Sequence, residues 1–478
     1  MITSTHIERK AVNTKIIATL GPVSQNEKTI TALSKAGVTV FRLNFSHGKH
    51  DDFKKCINTI RRVEQKLDKY LPIIQDLQGP KIRLNRFKKN RTVSNGEVFA
   101  LSVCCTPDDN INKISICYPR LLKDIKIGNR IFINDGRVEL KVIKVGTSEI
   151  RVSTTKGGLL EPRKGVNLPD TSISLPSLTE QDLDDLKFGV KNKVDYVAMS
   201  FVRSAKDILD LKARLTKMGS KAGVIAKIEK PQALKEIEEI VKVSDVVLVA
   251  RGDLGVEIKL EKVPAVQKMI LELGFKHRTP VIVATQMLES MISSPRPTRA
   301  EATDVFQAVA DGADAVMLSG ETAVGDYPVE TVKVMGRIIA EGERTLKRQD
   351  AFLKITEDTD EAIAETSAEI TDKINARFIC CFTSSGWTAK LISKNCYRHP
   401  VVALTDKETT ARRIALYRGV HPVNVNKRLK TLDEMFLMAS KMLKDLGLAK
   451  KGEKFVIVAG SPIGVRGKTN LLKVHTVI

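Results

Sequence analysis

The stretch VVLVARGDLGVE (residues 246–257) begins with five apolar residues and stops on Arg251-Gly252-Asp253. A run that reads as a buried strand ends here on a charged, glycine-broken turn. Two readings compete. Arg-Gly-Asp is an adhesion tripeptide when displayed on a surface. Alternatively, the strand holds a carboxylate at its end for chemistry. The flanking sequence decides between them.

Runs of the same kind recur on both sides: KIIATL (15–20), VTVFRL (38–43), LPIIQD (71–76), VDYVAMS (194–200), VIAKIE (224–229), PVIVAT (280–285) and AVMLS (315–319). With 246–250 they make eight. Each has strand length and continuous apolarity, the pattern of a strand buried on both faces. Helix-like stretches such as SAKDILDLKARLTKM separate most of them, which implies parallel βαβ units. Neighbouring runs start about 22–35 residues apart, except for one jump of about 120 between the third and fourth. Eight units predict an α/β fold built on a (β/α)₈ barrel. A doubly wound sheet is the rival arrangement.

The long jump is one unit plus an insert. GEVFALSV, RIFIND, RVELKVIKV and EIRVST are short strands broken by Gly, Asn and Asp, so the insert is expected to be a small β domain. After about residue 337, FICCFT, PVVALT, HPVNV, KFVIVAG and LLKVHTV alternate with helical stretches and predict an open α/β sheet. The expected division is 1–77 and 165–337 for the barrel, 78–164 for the insert and 338–478 for the C-terminal unit.

Bulk properties fit this plan. A chain of 478 residues suggests two or three domains. It is 42% hydrophobic, enough to build cores. No apolar run of about 18 residues marks a membrane span. The N-terminal MITSTHIERKAVNTK lacks the apolar segment of a secretory signal. A cytoplasmic location is expected, with an organelle reached by a short address left open. Seven cysteines without a C-x-x-C pair argue against a disulfide framework or a cysteine zinc site. Net charge is +22, and residues 78–164 alone carry 18 Lys/Arg against 8 Asp/Glu. Such a balance favours anionic partners. A lysine-rich solvated surface is the plainer explanation of the excess.

In a (β/α)₈ barrel the active site lies at the C-terminal strand ends. Those ends are polar here. The second gives Arg42, Asn44, Ser46 and His47; the third Asp76, Lys81 and Arg83; the fourth Ser200. The fifth gives Lys227 and Glu229, whose i, i+2 spacing puts them on one face. The sixth gives Gly252 and Asp253, the seventh Thr285, the eighth Ser319 and Glu321. Glu229 and Asp253, from adjacent strands, suit a hard cation such as Mg²⁺ or Mn²⁺. Gly252 lets the backbone approach an anion closely. Mg²⁺ with Lys and Arg is apparatus for phosphoryl or enolate chemistry. Each residue also has a plainer reading. Lys227 and Glu229 could be a surface ion pair, Asp253 a helix N-cap, and His47 a structural ring. Thr298 and Glu301 in PTRAE read as a capping box.

These motifs resemble the pyruvate kinase family. TKIIATLGP, FRLNFSHG, DLQGPKIR, KGVNLP, AKIEK, VARGDLGVE, VIVATQMLESMI, PTRAEATDV and DGADAVMLSGETAVGDYP occur in order across residues 14–328. GSPIGVRGKTNLLKV is similar to the family's C-terminal end. The resemblance implies phosphoryl transfer from phosphoenolpyruvate to ADP, giving pyruvate and ATP. It also implies that the insert is a small β-barrel acting as a mobile lid, together with a regulatory C-terminal domain and a homotetramer. Residue by residue, it implies Glu229 and Asp253 as metal ligands, Lys227 on the phosphoryl group in transit and Arg42 on the phosphate. Gly252, Asp253 and Thr285 would hold the substrate carboxylate. Thr285 and Ser319 lie where the family protonates the enolate. His47, Arg83 and Lys164 would meet the nucleotide.

Some positions depart from the family pattern. Asn44, Ser46 and Asp76 match its monovalent-cation site, but Leu77 stands where Thr is usual. Lys81 replaces the Glu of potassium-dependent members. An ammonium there supplies the charge the ion would bring, so activity without K⁺ is expected. Asn134 stands where an Asp is common in the lid. In TSSGWTAK, residues Thr383, Ser384, Ser385, Gly386 and Thr388 follow a strand and open a helix, a geometry that can cradle phosphate. The resemblance implies a sugar-phosphate activator there, with SPIGVRGK closing over it; an ordinary βα turn is the plainer alternative. Two other functions remain to be weighed. A metal-dependent aldolase or lyase shares the enolate apparatus but lacks the lid and KGVNLP. A nucleic-acid-binding protein would explain the charge, but no recognition motif is present and aromatics are 5%.

Overall fold

The computed structural model describes residues 12–103, 113–171, 173–345, 358–395, 398–425, 429–463 and 468–478. The first eleven residues, Cys104, Cys105, Cys396 and positions 464–467 of the SPIGVRGK loop lie outside the described residues.

Eight parallel strands close into a barrel in sequential order. They are β1 (Lys15–Leu20), β2 (Val38–Asn44), β3 (Ile73–Asp76), β4 (Tyr196–Met199), β5 (Gly223–Ile228), β6 (Val246–Ala250), β7 (Val281–Ala284) and β8 (Ala315–Leu318). Seven of the eight are buried along their whole length, β2 being partly exposed, which is why they read as continuous apolar runs. β8 pairs with β1, Ala315 against Lys15, and the ring is complete. A doubly wound sheet is thereby ruled out. The surrounding helices start on side-chain caps: Thr179 and Thr298 each form a capping box, with Asp182 and Glu301 respectively. The PTRAE segment is therefore a helix start, as its pattern suggested.

Between β3 and β4 the insert forms a six-stranded sheet. Its order is Val166–Asn167, Arg130–Ile133, Val138–Val145, Glu149–Lys156, Val98–Val103, Lys113–Ile116. Arg83 bridges to Gly165 beside one edge strand and Leu84 bridges to Ile116 in the other. One two-residue segment thus links both edges and curls the sheet towards a closed form. Arg91–Val93 and Gly158–Leu160 pair separately. These two strands and two of the sheet strands, each two to four residues long, have too little alternation to be read from sequence. Asn134, Asp135 and Gly136 all have positive φ and turn the hairpin there, a conformation that Asn and Asp tolerate better than most residues.

The C-terminal unit is a five-stranded sheet: β9 (Ile379–Phe382), β10 (Val401–Thr405), β11 (Val420–Asn424), β12 (Lys454–Ala459) and β13 (Leu471–Thr476), in the order β11-β10-β9-β12-β13. Only β13 is antiparallel, against β12. Alternate residues of β10 and β12 enter different cores, Val401 and Val456 in one, Val402 and Phe455 in the other. The chain reaches this unit through the helix Pro328–Thr345, which runs past position 337.

The sheet packs under the N-terminal end of the barrel. Lys15 Nζ at the start of β1 donates to Val420 O at 2.8 Å. Tyr196 at the start of β4 donates to Arg413 O at 2.8 Å. Lys394 pairs with Asp314 just before β8, at 2.5 Å. No described helix is long and apolar enough to cross a membrane. Cys56, Cys380 and Cys381 are free and buried. Cys117 is disulfide-bonded, a bond that the cysteine spacing did not signal.

Candidate active site

The barrel mouth is organised around Lys227, near the end of β5. Its Nζ lies 2.9 Å from Glu229 Oε1 and 3.1 Å from Asp76 Oδ1. It also donates to Ser200 Oγ at 2.6 Å. Burial alone would lower the Lys227 pKa, but Asp76 and Glu229 outweigh it and the pKa is raised. The ammonium is therefore charged at neutral pH. Asp76, 1% exposed, is pushed up by burial and pulled down further by Lys227 and Arg42, ending below the usual range. Arg42 holds Asp76 Oδ2 through both Nε at 2.7 Å and Nη2 at 2.6 Å, and reaches Thr19 through Nη1 at 2.9 Å. Asp76 thus has one cation on each oxygen.

Glu229 is buried, and its Oε2 accepts from Phe201 N at 2.8 Å. Its pKa is raised, by burial first and by the nearby Asp253 charge, with Lys227 opposing. Two carboxylates that repel each other in a buried mouth are a donor pair suited to a hard cation. Among the described residues no three His, Cys, Asp or Glu side chains form a metal cluster. A cation held by Glu229 and Asp253 would therefore take its other oxygens from substrate or water.

The strand-end reading of Arg251-Gly252-Asp253 needs one correction. β6 ends at Ala250, and Arg251–Glu257 is a short helix with Asp253 in its first turn. The N-cap is Ala250, so Asp253 is not the cap. The Arg251 side chain is 11% exposed and turned into the protein, a geometry opposed to adhesion. Its Nη2 donates to Thr285 O at 2.7 Å, its Nε to Ala284 O at 3.2 Å and its Nη1 to Asp304 at 2.6 Å. Thr285 and Gln286 both have positive φ, 70° and 53°, strain worth about 1–3 kcal/mol per residue. Gly252 N donates to Thr285 Oγ1 at 2.7 Å. A Cβ on Gly252 would meet Thr285 atoms only at 3.5 Å, an ordinary contact. Packing does not demand glycine at 252.

Glu321 has a structural part. Its carboxylate, 3% exposed, accepts from Ser319 N at 2.7 Å and from Leu288 N at 3.1 Å. It ties the end of β8 to the loop after β7 and fixes Ser319 in place.

On the other side of the mouth, Asn44 Oδ1 accepts from Ser46 N at 3.2 Å. His47 is exposed, and its pKa is lowered by partial burial first, then by Arg83, Lys81 and Arg42. Three cations thus act on one ring. Arg83 donates to Arg163 O at 3.2 Å, and Leu84 N to Lys164 O at 2.9 Å, so the Arg83 and Lys164 segments run side by side. The Lys164 ammonium pairs with Glu161 at 3.3 Å. Leu77 is 1% exposed and packs in the barrel core. A cavity between lid and barrel is lined by Lys81, Asn167, Phe201, Lys230 and Asp253. Lys230 pairs with Glu257, which also accepts from Asn167 Nδ2 at 2.7 Å. Lys230, Asn167 and Glu257 were not singled out from sequence, although all three lie inside the motifs AKIEK, KGVNLP and VARGDLGVE.

Residues 383–386 do join β9 to the helix Trp387–Asn395. Thr383 Oγ1 accepts from Gly386 N at 2.9 Å, and Gly386 has φ 94°. Thr388 Oγ1 meets Thr469 Oγ1 at 2.9 Å.

Phosphoryl transfer asks for fixed cations around an anion, a carboxylate pair and a cover that excludes water. The barrel mouth supplies the cations and the carboxylate pair, and the basic insert borders the same cavity, features of a barrel phosphotransferase. The model of the pyruvate kinase barrel domain matches residues 11–332, and that of the pyruvate kinase alpha/beta domain matches residues 361–475. A pyruvate kinase of Staphylococcus epidermidis (strain ATCC 35984) is 41% identical over 474 residues, covering 97% of this chain and 80% of its own length. One of Staphylococcus aureus (strain MRSA252) is 42% identical with the same coverage. The chain belongs to the pyruvate kinase family. It is a phosphotransferase acting on phosphoenolpyruvate and ADP or ATP. The family uses a divalent metal. The aldolase and nucleic-acid readings fall away.

Proposed function

We propose that the residues gathered at this mouth carry the family reaction as follows, and without a monovalent cation. The observation that carries this reading is the Lys227 ammonium, fixed between Asp76 and Glu229 with Ser200 as third partner. Arg42 and Lys227 hold the phosphoryl group of phosphoenolpyruvate. The bond from phosphorus to the enol oxygen breaks as one to the terminal ADP oxygen forms. The enolate left behind takes a proton on carbon and becomes pyruvate. Fixed cations stabilise charge on the moving group at no reorganisation cost. The Gly252 and Asp253 amides, with Thr285, receive the substrate carboxylate. Thr285 and Ser319 border the carbon that is protonated. Mg²⁺ or Mn²⁺ at Glu229 and Asp253 would neutralise phosphoryl oxygens. His47, Arg83 and Lys164 meet the nucleotide, and the lid over 78–164 excludes water.

Lys81 takes the place of potassium beside Asn44, Ser46 and Asp76. Its influence on His47 supports a position near the mouth. We also read the chain as a cytoplasmic homotetramer, divided at 77/78, 164/165 and 337/338. Residues Thr383, Ser384, Ser385, Gly386 and Thr388 form an activator loop for a sugar phosphate. Pyruvate formation from phosphoenolpyruvate and ADP, with Mg²⁺ and with or without potassium, is the test. Equal rates support the reading. A more than tenfold fall without potassium removes the role of Lys81. Titration of sugar phosphates at subsaturating phosphoenolpyruvate tests the loop.

A further inference from the structure

Glu257 closes the short helix Arg251–Glu257, one turn beyond Asp253. The i, i+4 spacing puts the two carboxylates on one face of that helix. The Glu257 side chain is 1% exposed, and its Oε1 serves donors from two other segments. Lys230, the residue after Glu229, sets its ammonium on that oxygen. Asn167 Nδ2, from the insert's edge strand Val166–Asn167, donates to the same oxygen at 2.7 Å. One oxygen thus joins the chain beyond β5, the helix beyond β6 and the insert. The clamp reaches Glu229 by a further route. The Lys230 ammonium lies 5.6 Å from the centre of the Phe201 ring, within cation–π range. Phe201 has φ 55°, a left-handed backbone that a bulky residue keeps only when its surroundings hold it. From that position its N–H donates to Glu229 Oε2 at 2.8 Å. The same ring packs on Gly79, in the segment leading into the insert, where a Cβ would come within 2.9 Å of Phe201 Cδ2.

The mechanism proposed above makes no use of Glu257, and a buried ion pair is a weak source of stability. The pair of Lys230 and Glu257 therefore calls for another role. We propose that Glu257 is a positioning residue for the two carboxylates of the mouth. Through Lys230 and Phe201 it fixes the spacing of Glu229 from Asp253, and through Asn167 it ties the insert to that spacing. The inference rests on the reading of Glu229 and Asp253 as the holders of a divalent cation. Two carboxylates that repel each other bind a small ion tightly only when their spacing is fixed beforehand. Groups that orient metal ligands in this way are worth about 10–100-fold in metal affinity. The bond to Asn167 adds a consequence. An insert held by Glu257 and a filled cation site favour each other, and the coupling is equal in both directions.

The test is binding of Mn²⁺ alone to the full chain, read as loss of the free-ion signal in electron paramagnetic resonance. Glu257→Gln keeps the shape and an acceptor for Asn167 but loses the charge that holds Lys230. It should weaken Mn²⁺ binding about 10–100-fold. Lys230→Met should do the same, while Lys230→Arg, which keeps the charge, should bind as the unmodified chain does. Asp253→Asn should abolish binding. Undiminished binding in Asp253→Asn removes the cation reading, and this inference with it. Binding lost in Asp253→Asn but unchanged in Glu257→Gln overturns the role of Glu257 alone, as does a lower Tm of the metal-free variant with Mn²⁺ affinity intact. The insert is read separately by amide hydrogen exchange. Mn²⁺ should slow exchange over residues 164–168 in the unmodified chain and not in Asn167→Ala, and equal behaviour of the two overturns the tie. If Glu257→Gln does not fold, the Lys230 variants and the exchange measurement decide.

Discussion

Lys227 Nζ and Glu229 Oε1 lie 2.9 Å apart in a mouth where both side chains are nearly inaccessible to water. The pair is two residues apart on one strand end, and Asp76 closes it from β3. Breaking a buried pair by removing one partner costs about 3–5 kcal/mol, because the other charge is left uncompensated. Lys227→Met should therefore lower Tm as well as activity. On the proposed mechanism kcat falls by about 10²–10³ or more, the scale of losing one fixed charge-stabilising donor. Steady-state kinetics beside a melting curve on the same sample separates the two effects. A variant that melts earlier but keeps its kcat removes Lys227 from the chemistry.

Lys81 offers a cleaner reversal. If its ammonium replaces a monovalent ion, Lys81→Glu should make activity depend on added potassium. The rate in potassium-free buffer should fall at least about tenfold, equivalent to about 1.4 kcal/mol, and recover on titration with KCl. Lys81 is exposed, so stability should hardly change. Unaltered activity in both buffers shows that Lys81 does not substitute for the ion.

Lys15 sets a pH dependence unrelated to catalysis. It is buried beneath the barrel, donates to Val420 O, and has a pKa lowered to about 7 by burial first and by Lys69. Glu343 opposes the shift, and His421, itself pushed well down, faces the same group. With the folded value below the unfolded value of about 10.5, the unfolded state binds more protons between those pH values. Stability contributed by this site therefore rises with pH from about 7 to 10.5, and the penalty is full below 7. Lys15→Met should raise Tm most at pH 7 or below and least near pH 10. Melting curves across that range check it, and an equal shift at every pH rules it out.

The barrel was legible because seven of its eight strands are buried along their whole length and the eighth largely so, which writes eight apolar runs into the sequence. The polar ends were legible because Lys227, Glu229, Asp253 and Thr285 interrupt those runs at a fixed place. The short insert strands, such as Val166–Asn167, were not, since two residues carry no periodicity. The helix over Arg251–Glu257 was also hidden: Gly252 and Gly255 lower its intrinsic propensity, and packing of Leu254 and Glu257 overrides that. The pairing of Lys230 with Glu257 across the site depends on contacts 27 residues apart, which no local pattern reports.

Arg251 was read from sequence only as part of a tripeptide, yet its side chain braces the bend that presents Thr285. It bonds the carbonyls of Ala284 and Thr285, and Asp304 fixes its other end at 2.6 Å. The two positive-φ residues after β7 are held against their preference by these bonds. Arg251→Lys cannot reproduce the fork, because an ammonium is not a planar multi-donor group. The Thr285 hydroxyl then loses its fixed distance to Gly252 N, where the proposed mechanism puts the substrate carboxylate. Arg251→Lys and Asp304→Asn should each raise KM for phosphoenolpyruvate, with the KM for ADP little changed, since the proposed ADP contacts, His47 and Arg83, lie across the mouth. Misplacement of about 1 Å can cost about 10²-fold in kcat/KM, so the arginine variant should show the larger effect. Separate titrations of the two substrates decide the matter: equal rises in both KM values, or a fall in Tm alone, mean that Arg251 holds the fold and not the position of Thr285.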